Sequence, residues 1–347
     1  MIPNRRPFIL LGLAAASVLT LAGCASASTA ADDAADGRIS VVASTNVYGQ
    51  IAEEVGGDLV DVTSIVTSDA QDPHSFEPSA RDQLTVSDAD LIIENGGGYD
   101  AFIDALIEAG GSDAHVITAA EFSHDYPGAE DHADEEEHAD GEGATAEPTE
   151  TGDAHGEDEH AEEEHDHAHE HIEGFNEHVW YDPHTIEHVA EAIAEELGEL
   201  SPDDAETFSA NAEAFAEEIH ALEGGLEEIA ATHTGAQVFV TEPVPVYLVQ
   251  AAGLENVTPD AFSEAVEEGQ DVAPATLLES LGLLESGTVR LVITNTQTGG
   301  AETTQIVEAA EAGGIPLIAF SETLPEGETY ISWMQANTEA LSAALDG

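Results

Sequence analysis

The sequence predicts an α/β protein in which two parallel-sheet α/β lobes are joined by one long, rigid backbone helix, with a ligand site in the interlobe cleft. Short apolar segments alternate with amphipathic helical segments in both halves of the 347 residues. This alternation is typical of a parallel sheet covered by helices. A long helical stripe of apolar residues lies between the two halves, and a cleft between lobes is a favoured position for a ligand.

Residues 38–200 are predicted to form the N-terminal lobe. Its strands are short runs of aliphatic residues, and its helices carry apolar residues three and four positions apart. Gly56 and Gly57 end the first helix. In chain order, the predicted elements are a strand at Ile39–Thr45, a helix over Val47–Val55, a strand at Val60–Val66, a helix around Ser79–Ser87, a strand at Leu91–Glu94, a helix at Ala101–Ala109, a strand at His115–Thr118 and a helix over Ile186–Leu197.

Residues 201–230 are predicted to form the linking backbone helix. Ser201 is a good N-cap, Pro202 is tolerated in the first turn, and Asp203 and Asp204 suit the positive end of the helix dipole. A coiled coil is the competing interpretation, but a spine between two α/β lobes fits the context better. The apolar stripe comprises Phe208, Ala212, Phe215, Ile219, Leu222, Leu226 and Ile229.

Residues 231–347 are predicted to form the C-terminal lobe, which repeats the α/β alternation of the first. Its short apolar runs are typical of strands, and segments with helical spacing of apolar residues separate them. The predicted elements are a strand at Gln237–Val240, helices at Val246–Ala252 and Leu277–Leu284, strands at Arg290–Thr294 and Ile315–Phe320, and a closing helix at Tyr330–Leu345.

The first 37 residues are predicted to be a lipoprotein signal peptide followed by a flexible tether. Arg5 and Arg6 precede a short apolar run, which is typical of a signal peptide over residues 1–23. The run ends in Leu-Ala-Gly-Cys, which resembles the bacterial lipoprotein processing box, so Cys24 is the expected lipidation site. Residues 24–37 are small and polar, as in a flexible tether. We therefore expect an extracytoplasmic protein, lipid-anchored to the outer face of the cytoplasmic membrane.

Composition excludes several classes of protein. The chain has 73 acidic and 5 basic residues, a formal net charge of −68. A nucleic-acid binder needs a basic face, and docking on anionic lipid through charge needs a polybasic patch, so neither is expected. The single Cys excludes an internal disulfide and a cysteine-based structural zinc site.

Residues 124–173 interrupt the first lobe with an acidic, His-rich segment. It has almost no large apolar side chains, so it is predicted to be a disordered surface loop. Nine of the chain's 16 His lie in it, whereas a merely solvated acidic run would need none. We therefore predict that it collects metal ions with low affinity, which favours zinc. The densest imidazoles are His155, His160, His165, His167, His169 and His171.

Three short motifs carry candidate metal ligands. The first, DPHSFEPSARD, begins at Asp72 just after the second strand and contains His74. The second, HVWYDP, begins at His178, and the third, VFVTEPVP, contains Glu242 at a strand end. Open α/β sheets bind ligands at the carboxyl ends of their strands. Imidazole and carboxylate together suit zinc and other borderline metals.

Together these motifs resemble the zinc- and manganese-binding substrate-binding lipoproteins of ABC importers, over roughly residues 38–347 without the insert. The resemblance implies two α/β lobes linked by one rigid helix, with the metal between them. It also implies that His74, His178 and Glu242 are ligands. Manganese members usually add an Asp after the strand matching Leu291–Thr294, but no acid stands there. The sequence therefore leaves Asp69, or a water, as the fourth ligand.

The predicted function is capture of Zn²⁺ and its delivery to an ABC permease and its ATPase. We expect a monomer that is not an enzyme. Mn²⁺ as cargo is the alternative in the same role, because Glu242 replaces the His of many zinc members. A metal-buffering or adhesive surface protein and a metallohydrolase are alternatives of other classes. The chain has no His-Glu-x-x-His motif, no Gly-x-Ser-x-Gly elbow and no phosphate-binding loop.

Overall fold

In the computed structural model, which describes residues 37–127, 172 and 174–347, two four-stranded parallel sheets confirm the predicted fold class. The first sheet has the order β2-β1-β3-β4 and the second the order β6-β5-β7-β8. The strands are β1 (Ile39–Thr45), β2 (Val60–Val66), β3 (Leu91–Glu94), β4 (His115–Thr118), β5 (Gln237–Val240), β6 (Glu255–Asn256), β7 (Val289–Asn295) and β8 (Leu317–Phe320).

The helices of the first lobe lie close to their predicted positions. They are α1 (Asn46–Gly56), α2 (Ala80–Ser87), α3 (Phe102–Gly110) and α4 (Pro183–Leu200). Gly57 follows α1 with φ 56°, a left-handed value that glycine adopts without strain. Ser79 and Asp82 form a capping box at the start of α2, with the Ser79 hydroxyl accepting from backbone N–H groups and the Asp82 carboxylate accepting from the N–H of Ser79.

The linking helix α5 (Ala205–His233) begins later than predicted. Ser201 is not its N-cap: the Ser201 N–H bonds to the Leu197 carbonyl and so closes α4, and Asp204 takes the N-cap position of α5. Residues 201–204 are needed to turn the chain between two antiparallel helices, a connection that the capping pattern alone does not reveal. All seven residues of the predicted apolar stripe are buried, against α1, α4 and α10 (Tyr330–Asp346) rather than in a coiled coil.

The remaining helices of the second lobe are α6 (Val246–Ala251), α7 (Asp260–Glu267), α8 (Pro274–Glu285) and α9 (Ala301–Gly313). The sequence patterns predicted α6 and α8 but not α7, α9 or strand β6. α7 was missed because it is only eight residues long and buries only Phe262 and Ser263, although Phe262, Ala265 and Val266 have helical spacing. α9 likewise buries only Thr303, Ile306 and Ala310, and β6 is only two residues long.

The two lobes share one continuous hydrophobic core. Residues 38–347 form a single compact unit, and one cluster of buried side chains includes β1, α1 and α4 as well as α5, β5 and α10. Hydrogen bonds also join the lobes: Asn46 Nδ2 donates to the Leu324 carbonyl at 2.8 Å, and the Tyr330 hydroxyl donates to the Trp180 carbonyl at 2.9 Å. The predicted boundaries at 200/201 and 230/231 therefore remain predictions.

Parts of the sequence predictions lie outside the described residues. These are the signal peptide, the lipidation site Cys24, the tether up to residue 36, and residues 128–171 and 173 of the insert. The insert's two edges are described: Tyr126 and Ile172 pack against the core, and the Tyr126 ring lies 5.4 Å from that of Phe175. Tyr126 and Ile172, which the predicted loop 124–173 included, therefore belong to the packed fold. Within the described residues, none of the helices combines the length and apolar character needed to cross a membrane.

Burial of Glu94 at the end of β3 predicts a pH-dependent stability. Burial raises its pKa to about 8, repulsion from Asp100 and Asp104 adds to this, and the hydrogen bond from Thr118 opposes it. A carboxyl whose pKa is raised in the folded state stays protonated after its unfolded counterpart has ionised, so stability falls as pH rises from about 4.5 to about 8.

Glu94→Gln removes this ionisable group and keeps its size. We expect the variant to match the wild type at pH 4.5 and to exceed its stability at pH 8 by on the order of 2 kcal/mol, or several degrees in Tm. The measurement is thermal unfolding of residues 38–347 at both pH values, with a chelator present. Glu53→Gln, at an exposed position of α1, is the matched control and should show no such difference. Equal pH profiles for Glu94→Gln and wild type would contradict the prediction.

Candidate metal centre

His74 lies in a short 3₁₀ turn, Pro73–Ser75, beyond the carboxyl end of β2. Asp72 fixes this turn, since its carboxylate accepts from the His74 N–H at 3.0 Å and from the Ser75 hydroxyl at 2.8 Å. Pro73 is buried and restricts the backbone further. The His74 ring then lies edge-on to Tyr99, with the ring centres 4.7 Å apart.

His178 is buried, and its ring is held by Asn176. The Asn176 Oδ1 accepts from Nδ1 of the imidazole at 2.8 Å and from the His178 backbone N–H at 3.2 Å. Because Nδ1 is the donor, Nε2 carries the lone pair that a metal requires. The rings of Tyr99 and Trp180 lie 5.8 and 5.1 Å away. His178 therefore presents a fixed nitrogen to the cleft in an aromatic, water-poor environment.

Two buried carboxylates come from the second sheet, one on each side of strand β7. Glu242 follows β5 and Glu322 follows β8, and each is only 3% exposed. Asn295, the last residue of β7, donates its amide to both, at 2.8 Å to Glu242 and 2.5 Å to Glu322. Thr298 also donates to Glu242, and Tyr99 to Glu322 at 3.2 Å. The sheet order β5-β7-β8 is thus what places the two carboxylates side by side.

The structure brings imidazoles of the first lobe to a carboxylate of the second. Ligand atoms of His74, His178 and Glu322 all lie within 4.8 Å of one another, close enough for one cation to contact all three after small side-chain movements. Glu242 is outside that group but shares the Asn295 amide with Glu322. Two imidazoles and two carboxylates form a suitable tetrahedral set for zinc.

Asp69, the fourth ligand suggested by the sequence, is not brought into this group. It is exposed and lines a separate cavity of about 600 Å³ beside Thr296 and Phe320. The structure places Glu322 next to the imidazoles instead. The acid-free segment after β7 has another role: Asn295 and Thr298 orient Glu242, and Gln297 accepts from the Glu322 N–H at 2.6 Å.

Glu322 was missed, although the sequence contains a signal for it. Glu242 stands two residues after the last residue of β5, in Val-Thr-Glu, and Glu322 stands two residues after the last residue of β8, in Phe-Ser-Glu. The same strand–hydroxyl–Glu pattern at two strands of one sheet predicts two carboxylates at the same edge. The resemblance to manganese-binding members instead pointed to the segment after β7, the strand that lies between β5 and β8.

The pKa values of these carboxyls are raised. Burial raises that of Glu322 to about 7, and Glu242 and Asp72 add repulsion, although the hydrogen bond from Asn295 opposes it. Burial also raises the pKa of Glu242, with Thr298 and Asn295 opposing the shift. Carboxylates that are buried together lose solvation and repel one another, and a divalent cation between them would relieve both effects.

The remaining candidate residues lie either outside the described part of the chain or away from the metal centre. The six His of the insert, 155 to 171, and Cys24 lie outside the described residues. His184, in a second Asp-Pro-His sequence, is exposed, and its ring packs against that of His188 at 4.7 Å. His220 pairs with Glu187 at 3.1 Å and His233 with Asp346 at 3.2 Å.

Two lobes with a buried cluster of imidazoles and carboxylates between them are the features expected of a metal-binding solute-binding protein. Residues 41–344 match the family model described as zinc-uptake complex component A, periplasmic. The chain belongs to this family, whose members are metal-binding substrate-binding proteins of ABC transporters and not enzymes.

The curated relatives include both zinc and manganese proteins. The zinc-binding lipoprotein AdcA of Streptococcus pneumoniae serotype 4 is 26% identical over 97% of this chain and 61% of its own length. The manganese-binding lipoprotein MntA of Halalkalibacterium halodurans is 26% identical over 69% of this chain and 66% of its own length. The chain therefore spans less than two thirds of the length of these relatives.

Solved structures show the same fold. The crystal structure of ZnuA superposes with a TM-score of 0.63 at 20% identity, covering 89% of this chain and 99% of that one. At this identity the likeness shows the two-lobed architecture alone.

Proposed function

We propose that the protein captures Zn²⁺ in the cleft between its lobes and delivers it to an ABC permease driven by an ATPase. The observation that supports this most is the meeting of His74 and His178 from one lobe with Glu322, and Glu242 beside it, from the other. A site that takes ligands from two lobes opens when the lobes separate, which suits a carrier that must release its cargo. Zn²⁺ is cargo here and not a resident cofactor.

The chemistry of the donors favours zinc over manganese. Imidazole nitrogens bind Zn²⁺ more tightly than Mn²⁺, and affinity for a given nitrogen and oxygen site rises from manganese towards zinc. The His-rich insert, with His155, His160, His165, His167, His169 and His171, adds a second reason, because such tracts bind metal through their composition. We infer that the insert concentrates Zn²⁺ near the cleft with low affinity. The negative charge of the chain would raise the local cation concentration in the same way.

Mn²⁺ is the second candidate cargo. Glu242 and Glu322 supply carboxylate oxygens, which manganese prefers, and one relative is described as manganese-binding. Asn295 holds both carboxylates side by side, so an oxygen-rich site could form if one imidazole moved away.

The proposal also includes the location of the protein in the cell. We infer that Cys24 is lipidated after removal of residues 1–23 and that the protein works as a monomer on the outer face of the cytoplasmic membrane. The relatives AdcA and MntA, which are described as lipoproteins, support this location.

Calorimetric competition between Zn²⁺ and Mn²⁺ tests the cargo. It uses residues 38–347 with and without residues 128–171, so that the packed edges Tyr126 and Ile172 are retained. We expect one tight Zn²⁺ site in both forms, Mn²⁺ binding weaker by at least about tenfold, and additional weak Zn²⁺ sites only when 128–171 are present. A preference for Mn²⁺ would reassign the cargo. Loss of the tight site on deletion would make the insert part of it.

A further inference from the structure

A second group of ligand atoms lies directly beside the first. Atoms of His74, Glu177 and Glu267 are all within 4.8 Å of one another. Glu177 precedes His178 in the chain and is 3% exposed, and Glu267 is the last residue of α7 in the second lobe. His74 thus belongs to both groups, so the two candidate cation positions are neighbours.

The Glu267 carboxylate has an unusual environment. Its Oε1 is buried without a hydrogen-bond partner among the described residues, and it lies 3.7 Å from Nε2 of His178. A buried carboxylate oxygen that receives no donor has lost its hydration without a replacement, which is unfavourable. A cation placed among Glu267, Glu177 and His74 would provide this partner for Glu267, since one ligand atom of each residue lies within 4.8 Å of the others.

An acidic groove leads to this second group from the surface. The groove encloses about 520 Å³ and is lined by both Glu177 and Glu267. Three further acids, Asp260, Glu264 and Glu268, are exposed along it, whereas Glu242 and Glu322 do not line it. A cation that enters along the groove therefore meets Glu177 and Glu267 before it reaches the inner carboxylates.

We propose that Glu177 and Glu267, with His74, form a transit position for the incoming divalent cation. The cation is held there first and then moves to His178, Glu322 and Glu242, with His74 as the ligand common to both positions. This inference rests on the proposed function, because it requires a metal-binding cleft. The inference adds a route of entry for the cation and assigns to Glu177 and Glu267 an effect on the rate of capture.

Stopped-flow binding of Zn²⁺ to residues 38–347 tests the transit position. Trp180, whose ring lies 5.1 Å from that of His178, supplies the fluorescence signal. Glu267→Gln should slow association about tenfold, because an amide cannot become the anionic ligand that the transit position requires. Dissociation should slow in parallel, so that the equilibrium Kd changes less than about threefold. Glu279→Gln makes the same change of side chain at an exposed position of α8 outside the groove and should leave both rates unchanged.

Co²⁺ binding to a Glu322→Gln background supplies the second readout. Loss of Glu322 weakens the inner position, so a weak Co²⁺ site should remain at His74, Glu177 and Glu267. This remaining site should be lost in Glu322→Gln/Glu267→Gln and retained in Glu322→Gln/Glu279→Gln. Melting curves establish that each variant is folded.

Three outcomes overturn particular statements. Unchanged association in Glu267→Gln would remove the transit position and leave the proposed function intact. Normal association with faster release would make Glu267 an ordinary ligand of the inner position, which also contradicts transit. Absence of any tight metal site in the wild type would overturn the proposed function itself.

Discussion

His74→Ala and His178→Ala should each weaken Zn²⁺ binding at the tight site by more than about a hundredfold. Loss of a group that only orients a metal ligand typically costs roughly 10- to 100-fold in affinity, and loss of the ligand itself costs more. The two imidazoles lie with Glu322 in one group of ligand atoms, and Asn176 fixes the direction of His178. Isothermal titration in the presence of a competing chelator measures the change.

His184→Ala is the matched control for these variants. His184 follows Asp182 and Pro183 as His74 follows Asp72 and Pro73, but it is exposed on α4. We expect it to keep wild-type affinity. Because His178 is buried, its variant could also lose structure, so far-UV circular dichroism and Tm are measured alongside. Full affinity in a folded His74→Ala or His178→Ala protein would refute the assignment of that residue.

The architecture could be predicted because most strands and helices have a recognisable apolar pattern within their own few residues. Parallel strands buried on both faces are short apolar runs, and the spine has an apolar residue every three or four positions, from Phe208 to Ile229. The missed elements α7 and β6 are too short for such patterns to repeat. α7 buries only Phe262 and Ser263, and β6 contains only Glu255 and Asn256. Their positions depend on packing against neighbours that are distant in sequence.

The site is harder to predict because it is assembled from separate strands. His74, His178 and Glu242 stand in motifs that draw attention to them, whereas Glu322 stands in an ordinary Ser-Glu-Thr. The strand–hydroxyl–Glu pattern that Glu322 shares with Glu242 indicates the same edge of a sheet, but it does not give the order of the strands. The order β5-β7-β8 in the structure is what shows that the two carboxylates are neighbours. Asp69 was suggested by its nearness to His74 along the chain, but in the structure it lines another cavity and is not in the group of ligand atoms with His74.

Glu322→Gln and Asp69→Asn together decide which acid completes the site. Each substitution replaces a carboxyl by its amide. Burial raises the pKa of Glu322 to about 7, so the titrations are done at pH 8, where Glu322→Gln and Asp69→Asn each remove close to one negative charge and change the long-range attraction of cations similarly. Glu322→Gln should weaken Zn²⁺ binding by about 10- to 1,000-fold, because a charged oxygen is lost within 4.8 Å of both imidazoles. Asp69→Asn should change it less than about twofold, because screening by salt leaves little interaction with an exposed charge.

The comparison also separates the local chemistry from the general acidity of the chain. In a protein of net charge −68, any acid could be argued to attract Zn²⁺, and equal effects of the two variants would support that view. Weak binding in Asp69→Asn with normal binding in Glu322→Gln would restore Asp69 as the ligand. The expected order follows from burial: Glu322 is 3% exposed and bonded to Asn295 and Tyr99. A fixed, dehydrated carboxylate interacts with a cation far more strongly than a hydrated one.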